Sequence, residues 1–205
     1  MAKRKTPKKS ETVKNSIPAK SVLPARMISI LREVGLLLSA GLIAYLTLVL
    51  KTYNSTDPAW SRQGVTQEVM NAGGMVGAHT SDVLLYLFGF SAWWIVLAGI
   101  LLIMRAYRQT TKEITENSKV VLLVTAGFIL LVLSSAAFEG LRMYSFAPEL
   151  PGEPGGIIGG EIALMSENAF GFIGSTLILL VLMAAGISLV SGVSWIMVAE
   201  KTGYW

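Results

Sequence analysis

The chain has no cysteine, a single histidine and few charges. Without cysteine there is no disulfide, no thiolate metal site and no thiol for a lipid anchor. His79 alone cannot build a multi-histidine metal cluster, and no G-x-S-x-G elbow exists to start a Ser-His-Asp triad. Phosphate-binding loops of the form G-x-x-x-x-G-K-[ST] are missing too; the run from Gly192 to Lys201 lacks the second glycine. No catalytic, cofactor-binding or metal site is therefore expected in these residues. Charged residues make up 15% and hydrophobic ones 53%, where an ordinary soluble domain carries about 25% charge.

What is present is long and apolar. Four stretches, about 34–53, 83–104, 119–138 and 172–198, are each long enough to cross a hydrocarbon layer of ~30 Å, which takes about 20 helical residues. Backbone N–H and C=O groups inside lipid must be paired within the segment, so helices are the default. The charges alternate by side. Nine of the 17 Lys and Arg precede the first stretch, Arg105, Arg108, Lys112 and Lys119 separate the second from the third, and Lys201 follows the fourth. Only Lys51, Arg62 and Arg142 lie in the other two connections. The positive-inside rule then puts both termini in the cytoplasm and segments 54–82 and 139–171 outside. Acids collect on the outer side, among them Asp57, Asp82, Glu139 and Glu167. Residues 1–30 read as a basic, disordered lead. Its Lys and Arg would meet anionic lipid, at about 1 kcal/mol each near the surface. Residues 31–205 read as one four-span domain. The first apolar run starts too late and is too long for a cleavable signal peptide.

The sequence also repeats itself. Gly73-Gly74-Met75-Val76-Gly77 is matched 82 residues later by Gly155-Gly156-Ile157-Ile158-Gly159, and Phe88-Gly89-Phe90 by Phe170-Gly171-Phe172 at the same offset. Val76, Thr80, Val83 and Leu87 form an apolar stripe at helical spacing, in register with Ile158, Ile162, Met165 and Ala169. The expected fold is thus all-α and integral to the membrane. It has four transmembrane helices arranged as two parallel hairpin repeats with amphipathic outer segments. The glycine pairs mark turns that begin a helix, and Gly89 and Gly171 mark bends into a span. A small channel or transporter subunit, with the Gly-Gly segments as pore loops, is the other class such a repeat admits. Against it, no ionisable residue lies at mid-depth in any span.

Tryptophans 93, 94, 195 and 205 fall near span ends, as an interfacial belt predicts. Trp60 lies apart, in the polar loop Asp57-Pro58-Ala59-Trp60-Ser61, where Asp-Pro favours a fixed turn.

Three segments carry a family resemblance. Tyr53-Asn54-Ser55-Thr56-Asp57-Pro58-Ala59-Trp60-Ser61 resembles the F-N-P-S-D-P-S-W-S outer loop of the four-span N-terminal domain of FtsK/SpoIIIE-type DNA translocases, with Ser55 for Pro and Ala59 for Ser. Asn71-Ala72-Gly73-Gly74-Met75-Val76-Gly77-Ala78, with Asp82 beyond, resembles that domain's N-x-G-G-x-x-G-A…D segment. Gly192-Val193-Ser194-Trp195, followed by Ala199-Glu200-Lys201, resembles its closing G-x-S-W…A-E-K. The resemblance implies a bacterial inner-membrane module at the division septum. Such a module binds other membrane division proteins and tethers a cytoplasmic, hexamer-forming ATP-dependent motor through which alone DNA is contacted. No enzyme activity is expected of these 205 residues themselves, and a homo-oligomer, hexameric if driven by the motor, is. As partner or structural residues the resemblance and the repeat together nominate Asp57, Pro58, Trp60, Ser61, Gly73, Gly74, Gly77, Gly155, Gly156 and Gly159, with Asp57, Trp60 and the two Gly-Gly turns as the outer partner surface. As the exit toward the motor they nominate Gly192, Ser194, Trp195, Glu200 and Lys201.

Overall fold

A computed structural model describes residues 25–62, 68–108, 118–143 and 150–203. Most of the basic lead, the loop between Arg108 and Ser118, and Trp205 lie outside those residues. The described chain is helical: α1 (Ala25–Lys51), α2 (Gly74–Phe88), a 3-10 turn (Gly89–Ala92), α3 (Trp93–Arg108), α4 (Ser118–Arg142), α5 (Gly156–Ser191) and α6 (Trp195–Gly203). Four segments are long and apolar enough to cross a membrane: Ser29–Lys51, Gly74–Met104, Val120–Arg142 and Gly156–Ser191.

The second and fourth of these exceed what a bilayer needs. Their 31 and 36 residues would reach roughly 47 and 54 Å at about 1.5 Å per residue, well past a ~30 Å hydrocarbon layer. Each is broken by a glycine. Gly89, at φ 60° and ψ −146°, ends α2, and Gly171, at φ 67° and ψ 168°, breaks α5 internally. Residues with a Cβ avoid this part of φ/ψ space. The short arms before the breaks, 74–88 and 156–170, lie over the ends of α1 and α4. Beyond the breaks the chain runs antiparallel to those helices. Gly99 sits on Ile43, and Arg32 donates to the Tyr107 carbonyl at 3.4 Å. Gly186 sits on Leu131 and Gly127 on Leu189.

The two arms match from their second glycine, although the residue before it differs, Gly73 at φ −84° and Gly155 at φ 78°. Gly74 and Gly156 have φ of 64° and 65°. The Gly74 N–H donates to the Asn71 carbonyl and the Gly156 N–H to the Glu153 carbonyl, both at 2.9 Å. Gly77 N–H to Gly73 O and Gly159 N–H to Gly155 O are both 3.1 Å.

The apolar stripe Val76–Thr80–Val83–Leu87 is not the buried face of the first arm: Val76 is 70% exposed and no member of the stripe is buried. The buried face is Gly77, Ala78, Ser81, Asp82 and Leu85. In the second arm Met165 is 69% exposed, whereas Gly156, Gly159 and Ala163 are buried. Lipid is as apolar as leucine, so large apolar side chains gain little by facing protein. Polar and small residues must face inward.

The fourth helix also stops earlier than expected. Gly192, at φ 73°, caps α5 through its N–H to the Ser188 carbonyl at 2.8 Å, and Trp195 opens α6 instead of lying inside a span that runs to residue 198. The left-handed glycine is a common helix stop.

Two small cores lie at the end of the bundle that carries the long loops. One joins Leu50, Leu85, Ala92, Val96 and Leu150; the other joins Ala137, Leu141, Ala163 and Leu179.

Candidate functional site

The loops at this end are held by carboxylates. Asn54 Oδ1 accepts from the Thr56 N–H and Oγ1 at 2.9 and 2.8 Å, turning the chain toward Asp57. Asp57 is 1% exposed, and its two oxygens accept the Met70 and Asn71 N–H groups at 2.7 and 2.8 Å. Asn71 then donates its side-chain amide to the Val49 carbonyl at 2.9 Å and to Ser81 Oγ at 3.3 Å, while its Oδ1 takes the Gly73 N–H at 2.9 Å. Val49 belongs to the last turn of α1, whose carbonyls have no helical partner. One asparagine thus closes the end of α1 and the start of α2. Next to Ser81 on α2, Asp82 is wholly buried and accepts both the N–H and the Oγ of Ser61, at 2.8 and 2.7 Å.

Between these two anchors the loop presents Trp60. It is 64% exposed, with its ring edge-on to Tyr86 at 5.5 Å between centroids. Arg62 braces the base of the loop, donating to the Ser55 carbonyl and the Tyr53 hydroxyl, both at 2.8 Å. Burial pushes the Tyr53 phenol above its usual range, which the neighbouring Arg62 charge partly opposes. The phenol therefore stays protonated at neutral pH. A cleft of about 560 Å³ opens beside it, lined by Leu50, Lys51, Tyr53, Phe90, Trp93 and Leu150 among others.

A second cluster joins the two halves. Glu139, 3% exposed near the end of α4, accepts the Phe90 N–H at 2.8 Å, the Ser91 N–H at 3.0 Å and the Ser91 hydroxyl at 3.0 Å. Those N–H groups follow the Gly89 break, so the helix they begin cannot satisfy them. Ser135 Oγ, one turn back on α4, lies 2.9 Å from Ser91 Oγ and accepts the Trp94 indole N–H at 2.9 Å. Gly155 and Gly159 are pressed against the Ala136 carbonyl, and Gly156 against Leu87 and Phe88.

The nominated residues thus divide. Asp57 was expected on the partner surface. It lies beneath that surface instead, because a carboxylate that meets two backbone donors in the loop is better placed inside than out. Trp60 is exposed; Pro58 and Ser61 are half-buried. Gly73 and Gly74 stay at the surface, whereas Gly77, Gly155, Gly156 and Gly159 are buried. Both glycine pairs start helices. At the far end, the Trp195 indole N–H donates to the Ala184 carbonyl at 2.8 Å, tying the start of α6 to α5. Ser194, Glu200 and Lys201 are exposed there. Glu139, Asn71 and Ser135 carry much of the architecture and were not singled out from sequence. The available signal was cost: a carboxylate one turn from the end of an apolar helix has to find donors. Among the described residues no cluster of three His, Cys, Asp or Glu could hold a metal ion.

Alanine at Asp57 orphans two loop N–H groups, at about 1–3 kcal/mol for each buried donor left unpaired. Asp57→Ala is thus expected to lower the unfolding midpoint in detergent. Trp60→Ala is expected to leave it within about 0.5 kcal/mol, as for an exposed position.

Residues 29–203 match the family described as the 4TM region of DNA translocase FtsK/SpoIIIE. The chain belongs to this family. DNA translocase FtsK 2 of Ralstonia nicotianae is 37% identical over 166 residues, covering 78% of this chain and 21% of that protein. DNA translocase FtsK of Shewanella oneidensis is 35% identical over 168 residues, 78% of this chain and 17% of its own length. DNA translocase FtsK 1 of Neisseria meningitidis (strain Z2491) is 33% identical over 155 residues, 74% and 19%. The chain therefore spans about a fifth of the length of these relatives. No solved structure matches it. The Asp57–Asn71–Asp82 frame and the Glu139 cluster lie within the matched four-span region.

Proposed function

We propose that this chain is the membrane anchor and assembly module of a bacterial DNA translocase acting in cell division and chromosome segregation. In this reading it sits in the cytoplasmic membrane at the septum. Both termini face the cytoplasm, and the loop end bearing Trp60 faces outward to meet other membrane division proteins. Its four spans form two parallel hairpins, each a helix out, a glycine turn, a short arm and a helix back. The charge asymmetry supports the orientation, and the equal φ values at Gly74 and Gly156 support the repeat. The observation that carries the reading is the family match across all four spans. DNA is contacted only by the motor that the module tethers. Lys201 and Glu200 on α6, held by the Trp195 bond, set the exit toward it.

A C-terminal fluorescent fusion of residues 1–205 in dividing cells of the host tests this. A midcell band is expected. Uniform membrane fluorescence from a stable fusion would remove the septal address from this module, and fluorescence off the membrane would overturn the topology. In the same cells Trp60→Ala is expected to weaken the midcell band with expression and stability retained, and an unchanged band would take Trp60 out of the partner surface.

A further inference from the structure

Three Lys and Arg side chains stand at the end of the bundle that carries the long loops, and two of them are engaged. Arg62 donates to the Ser55 carbonyl and the Tyr53 hydroxyl. Arg142 donates to Thr176 Oγ1, and its Cζ lies 4.2 Å from the centre of the Phe172 ring. Lys51, exposed in the last turn of α1, meets no acceptor among the described residues. It borders the cleft beside Tyr53, and the rest of that rim is of the same kind. The Tyr53 hydroxyl accepts from Arg62, and burial keeps it protonated, so its own O–H is still to be donated. Asn54 gives its Oδ1 to Thr56 and keeps its NH2. The Ser55 hydroxyl likewise has no partner among the described residues. No carboxylate among those residues lines the cleft; the loop acids Asp57 and Asp82 already hold the Met70, Asn71 and Ser61 donors.

The walls differ from the rim. Leu50, Leu85 and Leu150 are buried there, and Phe90 and Trp93 are half-buried. Lys51 ends the first membrane-crossing segment, and Trp93 follows the break in the second. Donors and apolar surface thus meet where helices leave the hydrocarbon, the depth at which Trp, Tyr and Lys are favoured. Snorkelling accounts for Lys51 alone, but not for three further donor groups on the same cleft.

We infer that this cleft binds one anionic phospholipid. Its phosphate sits on the Lys51 ammonium and the Tyr53, Asn54 and Ser55 donors, and the upper part of an acyl chain lies against Leu50, Phe90 and Trp93. A rim of donors matches a phosphodiester, whose free oxygens only accept. An ethanolamine headgroup would bring an ammonium for which the described rim has no carboxylate, so a glycerol headgroup is preferred. The volume of about 560 Å³ falls within the range of about 300–1,000 Å³ usual for small-molecule sites. The orientation proposed above makes the source the outer leaflet; the site itself does not rest on that orientation. A lysine on that side runs against the charge bias that orients the chain, and a bound phosphate gives it a partner.

The 205-residue protein in neutral detergent micelles, titrated with phosphatidylglycerol, tests this, because a ligand that binds only the folded form raises the unfolding midpoint. Phosphatidylglycerol is expected to raise the midpoint saturably, and phosphatidylethanolamine with the same chains to raise it less. Lys51→Gln is expected to weaken the apparent affinity about tenfold, as for one lost bond to a charged group. Lys51→Glu is expected to abolish the shift, and Ser55→Ala to weaken binding about threefold. Both positions are exposed, so the lipid-free midpoints are expected to stay at the parent's. Lys14→Gln removes the same charge from the basic lead and is expected to leave the titration unchanged. Equal shifts from the two lipids, or an equal loss at Lys14→Gln, would overturn the site and leave only bulk lipid or lead electrostatics. The same shift from glycerol phosphate without chains would make the ligand a free phosphate ester and overturn the lipid. No shift in the parent would overturn the inference outright. Micelles leave both ends of the protein accessible, so none of these outcomes depends on the orientation or the septal role.

Discussion

Glu139→Ala is expected to destabilise the folded domain by about 3 kcal/mol or more. It leaves the Phe90 N–H, the Ser91 N–H and the Ser91 hydroxyl without their acceptor, and each buried donor left unpaired costs about 1–3 kcal/mol. Water is too scarce at 3% exposure to compensate. The Ser91 and Trp94 bonds through Ser135 remain, so the helices are not expected to separate altogether. Glu139→Gln is expected to recover only part of the loss. Its carbonyl replaces one acceptor, but its NH2 then faces a second donor. An SDS or thermal unfolding series in mild detergent checks this, and an alanine variant as stable as the parent would remove Glu139 as the tie between the halves.

The second large effect is expected at Gly155. Alanine there meets the Ala136 carbonyl oxygen directly and the Gly140 nitrogen at 2.9 Å, both backbone atoms of α4 that have no rotamer in which to escape. Overpacking of a tight core costs about 1–3 kcal/mol. The φ of 78° adds about 1–2 kcal/mol for a residue with a Cβ. Gly155→Ala is thus expected to lose about 2–5 kcal/mol. Gly171→Ala is the contrasting case. Its φ of 67° with ψ 168° lies in a region that essentially only glycine adopts, so the backbone strain is at least as large, but a Cβ there meets nothing within 4 Å. It is expected to cost about 1–3 kcal/mol, from backbone strain alone. Equal losses at the two glycines would mean that the packing of α4 against the Gly155 turn contributes little.

Both effects fall at the junction of the two units, whereas the exposed face at the same end is built from Trp60, Tyr86 and the braced loop around them. In the proposed function, rigidity and recognition are separated by depth. Asp57, Asp82 and Glu139 lie below the surface, and Trp60, on the loop that Asp57 and Asp82 hold, lies above it. A variant of the buried carboxylates is expected to act on recruitment through stability, and a variant of Trp60 without it.

Local features of the chain decide a good deal. Hydropathy and length mark four helices, because a span is a property of one continuous segment. Gly74, Gly155, Gly156, Gly89 and Gly171 fall where the backbone takes positive φ, because only glycine adopts that conformation at little cost. Asn54 fixes the turn before Trp60 locally, its side chain accepting from Thr56 two residues on and its carbonyl from the Asp57 N–H. Tertiary structure decided which faces meet. It put the polar side of the first arm inward and buried Asp57 where a surface residue was expected. It brought Glu139 to Ser91 across 48 positions and set Gly156 on Leu87. An apolar stripe in a membrane does not say whether it faces lipid or protein, since both are equally dry. The choice is made by the buried polar groups, whose donors and acceptors lie on other helices and become neighbours only once those helices pack.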